Sequence, residues 1–114
     1  MTIEELLNLK FNGCDLDLHW GHDHLSIIPV EVECAAQRIS ALSFEAVRDT
    51  WAVLWEDLAQ QWSNRLDLLP NDRCRVSGID AKSVYDKIKV SFACEHPDGL
   101  LRWGFTTAGV TRDV

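Results

Sequence analysis

Three histidines and three aspartates fall within the eleven residues Asp15-Leu-Asp-Leu-His-Trp-Gly-His-Asp-His-Leu25. Neutral imidazole nitrogens and carboxylate oxygens are the donors that zinc and nickel accept, so His19, His22 and His24 with Asp23 or Asp17 form a candidate metal set. The spacing matches none of the strict metal motifs: there is no HExxH helix and no paired CxxC. Gly21 also places the histidines around a turn rather than on a rigid element. A small metal-binding protein or metal-dependent hydrolase is therefore the alternative reading; the primary assignment is no metal, no cofactor and no catalytic residue.

Nucleophilic chemistry finds no better support. Cys14, Cys34, Cys74 and Cys94 stand singly in the chain, and nothing in the sequence sets one of them against His96 or another base. The expectation is four reduced, mostly buried thiols. No GxSxG elbow and no phosphate-cradling glycine loop occurs.

The residues of the first cluster have to be held by something, and their spacing says what. From Asp15 to Trp20 the period is two: Leu16, Leu18 and Trp20 share one face of a strand, and Asp15, Asp17 and His19 share the other. A turn at Gly21–His24 leads to a second strand carrying Leu25 and Ile27, then Val30, Val32 and Cys34, with Pro29 as a break and Glu31 and Glu33 facing outward. Upstream, Thr2-Ile-Glu-Glu5 is a capping box for a short helix over 3–11. The strongest helical pattern follows Ser43: Val47, Trp51, Leu54, Trp55, Leu58 and Trp62 recur at helical spacing and predict one long amphipathic helix over 44–62. Further on, 73–77 reads as a strand, 81–86 as a helical turn and 87–95 as a strand. Glu95-His-Pro-Asp-Gly99 makes a hairpin connection to a last strand over 100–107, where Leu101, Trp103 and Phe105 alternate with Arg102, Gly104 and Thr106. The predicted fold is α+β: an antiparallel sheet of about four to five strands, a long helix on one face and a short N-terminal helix, all in one compact domain over 1–114.

Charge supplies the functional argument. The 114 residues carry a formal net charge of −7, and residues 1–33 alone hold seven acidic side chains against one basic. That balance argues against direct nucleic-acid binding, which phosphate neutralisation drives. No basic, apolar leader pattern opens the sequence and no long apolar run crosses it, so a cytoplasmic protein without a membrane anchor is expected. If the outward faces of the first two strands adjoin, Asp15, Asp17, His19, Glu31 and Glu33 crowd like charges together and invite a positive surface. The expected function is a non-catalytic acidic interaction protein that binds and inhibits a basic protein, as an immunity protein or antitoxin does with a nuclease. A homodimer formed through a sheet edge or Trp62 is a third reading.

Overall fold

The computed structural model describes residues 1–8, 13–30, 41–54 and 64–113. Among these residues lie one α-helix, α1 (Ile3–Leu7), a short 3-10 helix at Leu66–Leu68, and eight strands: β1 (Cys14–Trp20), β2 (His24–Pro29), β3 (Ala41–Glu45), β4 (Arg48–Leu54), β5 (Arg73–Val84), β6 (Lys87–His96), β7 (Gly99–Thr107) and β8 (Gly109–Asp113). The strands pair antiparallel in the order β4-β7-β6-β5-β1-β2-β3-β8.

The ends of that ladder meet. β3 and β4 are separated by Ala46 and Val47 alone, and β7 and β8 by Ala108 alone, so each pair is one strand bent in the middle. The bends lie side by side: Glu45 pairs with Gly109 before the corner, and Arg48 with Thr106 after it. Three contacts fasten the corner. The Ala108 N–H donates to the Glu45 carbonyl at 3.0 Å, the buried Thr107 hydroxyl donates to the same carbonyl, and the Val47 N–H donates to the Asp23 carbonyl at 2.8 Å. Counting each bent strand once, the sheet closes into a six-membered antiparallel barrel. Closure shows in the core as well. β3 and β7 are five steps apart in the strand order, about 24 Å in a flat sheet at ~4.8 Å per strand, yet the rings of Phe44 and Phe105 lie 5.2 Å apart.

Aromatic side chains fill the interior. Phe92 stacks on Trp103 at 4.5 Å, Phe44 meets Phe92 and Phe105 edge-on, and Trp20 reaches Trp103 at 5.9 Å while its Nε1 donates to the Pro70 carbonyl. Around them Leu16, Leu25, Ile27, Leu42, Val76, Val90 and Leu101 are buried. The helix α1 adds Leu6, which is wholly buried; its capping box is formed, with the Glu5 N–H donating to Thr2 Oγ1 and the Thr2 N–H to Glu5 Oε1.

The architecture overturns the predicted α+β class. The sheet has eight strands rather than four or five, and residues 44–54 of the expected long helix lie in β3, β4 and the two-residue corner between them; 55–62 lie outside the described residues, as do 9–11 of the expected N-terminal helix. Two positive φ angles explain the false helical stripe. Ala46 (φ 51°) makes the corner and Asp49 (φ 54°) sits in the register shift between Arg48 and Trp51. Each slips the inside–outside parity, and a period-two pattern slipped twice imitates a period near 3.6. The expected helical turn over 81–86 is likewise strand as far as Val84, followed by a two-residue turn at Tyr85 and Asp86.

Candidate functional site

The first strand presents its side chains as its alternation requires: Cys14, Leu16 and Leu18 are buried, and Asp15, Asp17 and His19 point outward. What flanks the two carboxylates is not another acidic strand. On β5, Arg75 stands opposite Asp15 and Arg73 opposite Asp17. Each pair is closed by a hydrogen bond, Arg73 Nε to Asp17 Oδ1 at 2.9 Å and Arg75 Nε to Asp15 Oδ1 at 3.3 Å. On the β2 side, Asp17 faces Ile28 and His19 faces Ser26. The expected row of repelling carboxylates is therefore a ladder of cross-strand ion pairs, and the charge reserved for a basic partner is largely spent inside the molecule. Glu31 and Glu33 lie outside the described residues.

The histidine cluster does not assemble either. His19 is on β1, His22 and Asp23 are in the turn, and His24 opens β2; Asp23 faces Arg48 at 3.5 Å. Among the described residues no three His, Cys, Asp or Glu side chains converge as a metal would require. His96 ends β6 as expected for the turn, with Nδ1 accepting from the Asp98 N–H at 3.1 Å. Among the described residues no helix is long and apolar enough to cross a membrane.

The cysteines differ from four equivalent thiols. Cys14 is disulfide-bonded, its partner lying outside the described residues, whereas Cys74 and Cys94 are free and buried. Cys94 pairs with Val76, two residues along β5 from Cys74, so the two free thiols are diagonal neighbours inside the barrel.

A different surface draws together groups the sequence did not single out. On the outer face of β4, β7, β6 and β5, one row across the strands reads Trp51, Gly104, Ser91, Asp80; the next reads Val53, Arg102, Ala93, Gly78; and on the other side come Thr106, Lys89 and Lys82. Gly104 is the key to the row. Its missing side chain lets the Trp51 ring pack against the strand, with Cζ2 only 3.1 Å from where a Cβ would stand. A hollow of about 210 Å³ follows, walled by Trp51, Asp80, Lys82, Lys89, Ser91 and Arg102. It adjoins a second of about 680 Å³ that shares Trp51 and Lys89 and reaches Asn64, Val84 and Thr106. A third adjoins at the Gly78 end.

The side chains of the three cations of this groove are unengaged: among the described residues no side-chain hydrogen bond or ion pair involves Lys82, Lys89 or Arg102. Asp80 and, at the far end, Asp49 are the acidic groups on its walls. Asn64 is fixed there by the Ala52 N–H, which donates to its Oδ1 at 3.0 Å. The groove thus offers the Trp51 indole packed against the sheet, three cations and several hydroxyl or amide groups. Asp80 stands opposite Ser91 in it, but no hydrogen bond joins their side chains, and among the described residues no metal-binding donor set converges.

Comparison with known protein families, with curated proteins and with solved structures finds no match to this chain. The functional reading rests on the geometry alone.

Proposed function

We propose that the chain is a non-catalytic binding module whose contact surface is the Trp51 groove and whose partner is anionic. The observation that carries this reading is the set of three cations without a side-chain partner, Lys82, Lys89 and Arg102, around an indole packed against Gly104. In a chain of net charge −7 acidic groups outnumber basic ones, and Arg48, Arg65, Arg73 and Arg75 each meet one. Cations left open at one place keep their field for something outside the molecule.

The shape narrows the chemistry. From the Gly78 row to Val84 the groove runs six residues along β5, about 20 Å at ~3.3 Å per residue, which suits an extended ligand better than a compact one. A ring to stack on Trp51 and negative charge along a chain are both present in a single nucleic-acid strand, and a groove of this length accommodates about four nucleotides. The global charge, which argued against nucleic acid, now has a local counterpart: it predicts weak binding, with a dissociation constant on the order of 10–100 μM at low salt. Three phosphate contacts give a salt dependence with a slope of about −2 on a log–log plot.

The test is titration of a short oligothymidylate, followed by tryptophan fluorescence, beside base-free polyphosphate. Oligothymidylate should bind with that salt slope, and Lys89→Glu with Arg102→Glu should abolish binding. Trp51→Ala should weaken it by about 1–3 kcal/mol through lost stacking. Equal affinity for polyphosphate would remove the stacking role of Trp51 and leave an anion site. No binding of either polyanion, or binding indifferent to the charge reversals, would overturn the assignment.

A further inference from the structure

The two-residue turn that joins β5 to β6 carries a residue that the turn itself does not favour. Tyr85 has φ 58° while Asp86 stays at negative φ, the pattern of a hairpin turn whose first central position is ordinarily glycine. A bulky side chain is strained there, and no packing offsets the strain, because Tyr85 is 98% exposed. A second unfavourable feature lies beside it. Lys82 and Lys89 stand directly opposite each other on the two strands, and like charges so placed repel. Among the described residues neither lysine side chain has an ion pair or hydrogen bond, and nor has that of Lys87.

Both features lie on the groove. Alternation puts Lys82 and Val84 on the same outer face of β5 as Asp80, and Lys87 and Lys89 on that of β6 with Ser91. Val84 and Lys89 line the larger hollow, and Tyr85 follows Val84 directly. We propose that Tyr85 is a second stacking residue of the Trp51 groove, so that a single nucleic-acid strand lies along the β5–β6 hairpin with a base on each ring and phosphate between Lys82 and Lys89. This inference rests on the function proposed above and narrows its ligand: a strand long enough to reach both rings, rather than a mononucleotide or a base-free polyanion.

The spacing sets that length. Tyr85 is five residues beyond Asp80, the β5 member of the Trp51 row, about 17 Å at ~3.3 Å per residue. The Trp51 ring packs at Gly104 on β7, so the tip between β5 and β6 lies one to two strands to the side, about 7 Å at ~4.8 Å per strand. At roughly four nucleotides per 20 Å of groove, the diagonal of about 18 Å takes a strand of about five nucleotides to place a base on each ring. What is unfavourable in the free chain then serves binding. Phosphate between Lys82 and Lys89 removes their repulsion, and an exposed tyrosine offers a ring on which any base can stack. The acidic groups of this face, Asp80 and Asp86, stand on either side of the lysines and leave the middle of the hairpin to the phosphates.

The experiment titrates the full chain and its Tyr85 variants with octathymidylate, trithymidylate and polyphosphate at low salt, and follows thermal unfolding of the same samples. Tyr85→Gly should bind octathymidylate about tenfold more weakly, within the range for loss of one stacked base, while its polyphosphate binding is unchanged and its fold melts no lower. Tyr85→Phe keeps the ring and should bind as the parent does. Trithymidylate, too short to span the two rings, should not distinguish Tyr85→Gly from the parent. Lys82→Glu sets opposite charges across the hairpin and should melt higher while binding octathymidylate more weakly. If Trp51→Ala weakens octathymidylate binding and Tyr85→Gly does not, the groove stands and the second stacking point is refuted. An equal loss for polyphosphate in Tyr85→Gly would refute it too, since polyphosphate has no base to stack. No octathymidylate binding by the parent would overturn the groove and this extension together.

Discussion

Gly104→Ala is the substitution on which the description of the groove can be tested most sharply. A Cβ at Gly104 would stand 2.3 Å from the Val90 carbonyl oxygen, 3.0 Å from Ser91 Cα and 3.1 Å from Trp51 Cζ2. The indole can swing aside, but the other two atoms are the backbone of β6, held against β7 by the Val90–Phe105 and Ser91–Gly104 pairings. Relief therefore requires moving a central strand, and overpacking of that kind costs about 3 kcal/mol, the upper part of the usual range. With a urea m-value of about 1.5 kcal/mol/M, the midpoint should fall by about 2 M. For a chain of 114 residues the unfolding entropy is about 0.24 kcal/mol/K, so the melting temperature should fall by about 12 °C. Gly109→Ala is the control, because a Cβ there meets nothing within 4 Å. It should leave stability unchanged or raise it by about 0.5 kcal/mol, since alanine loses less chain entropy than glycine on folding. Equilibrium urea unfolding of both variants decides the matter. If Gly104→Ala lies within about 0.5 kcal/mol of the parent, or Gly109→Ala loses as much, then β6 does not approach β7 this closely at Gly104 and the floor of the groove is misdrawn.

Two further outcomes concern the elements that frame the barrel. Tyr85 occupies the β5–β6 turn at φ 58° with its side chain 98% exposed; Tyr85→Gly should therefore stabilise the fold by about 0.5–1 kcal/mol in thermal unfolding, whereas a loss of stability would mean that the ring makes contacts. Thr2→Ala should remove the cap of α1 and lower stability by about 1 kcal/mol, with Thr2→Ser retaining most of it; an unchanged urea midpoint would show that α1 does not hold Leu6 in the core.

How much could be read beforehand depended on how far apart the partners lie along the chain. The inward and outward faces of β1 and of β7 follow directly from alternation, and the hairpin at Pro97–Gly99 from its turn residues, because each is a local matter. The neighbour of β1 is not local. Asp15 and Asp17 meet Arg75 and Arg73 across 60 and 56 residues. A signal did exist: Asp-x-Asp on one strand and Arg-x-Arg on another have the same two-residue step, which is what cross-strand pairing demands. The helical misreading of 44–54 has another origin. Positive φ at Ala46 and Asp49 leaves no mark that a pattern of apolar residues can register, since neither is glycine. Trp51 consequently looked like core and Lys82 like part of a helix, so the β4 and β5 walls of the groove were misassigned while Lys89 and Arg102 fell on strands that the alternation had given.

The closed barrel also explains why the residues richest in chemistry are not the site. Phe44, Phe92, Trp103 and Phe105 occupy the interior with ring separations between 4.5 and 6.4 Å, and barrels of about this size fill with side chains rather than ligands. Binding is thereby pushed to the outside or to the ends. At the turn end, Asp23 is drawn into holding the corner: its carbonyl accepts from Val47 and its carboxylate faces Arg48. On the β1–β5 side the carboxylates are matched by arginines. What a six-membered closed sheet still offers is the outer face away from those pairs, and there the bends of β3–β4 and β7–β8 carry β4 with Trp51 to the side of β7. The same closure that fastens Glu45 to Thr107 and Ala108 thus builds the groove wall. Loosening the corner should disturb Trp51 before it disturbs the ladder between β5 and β6, which shares no hydrogen bond with it.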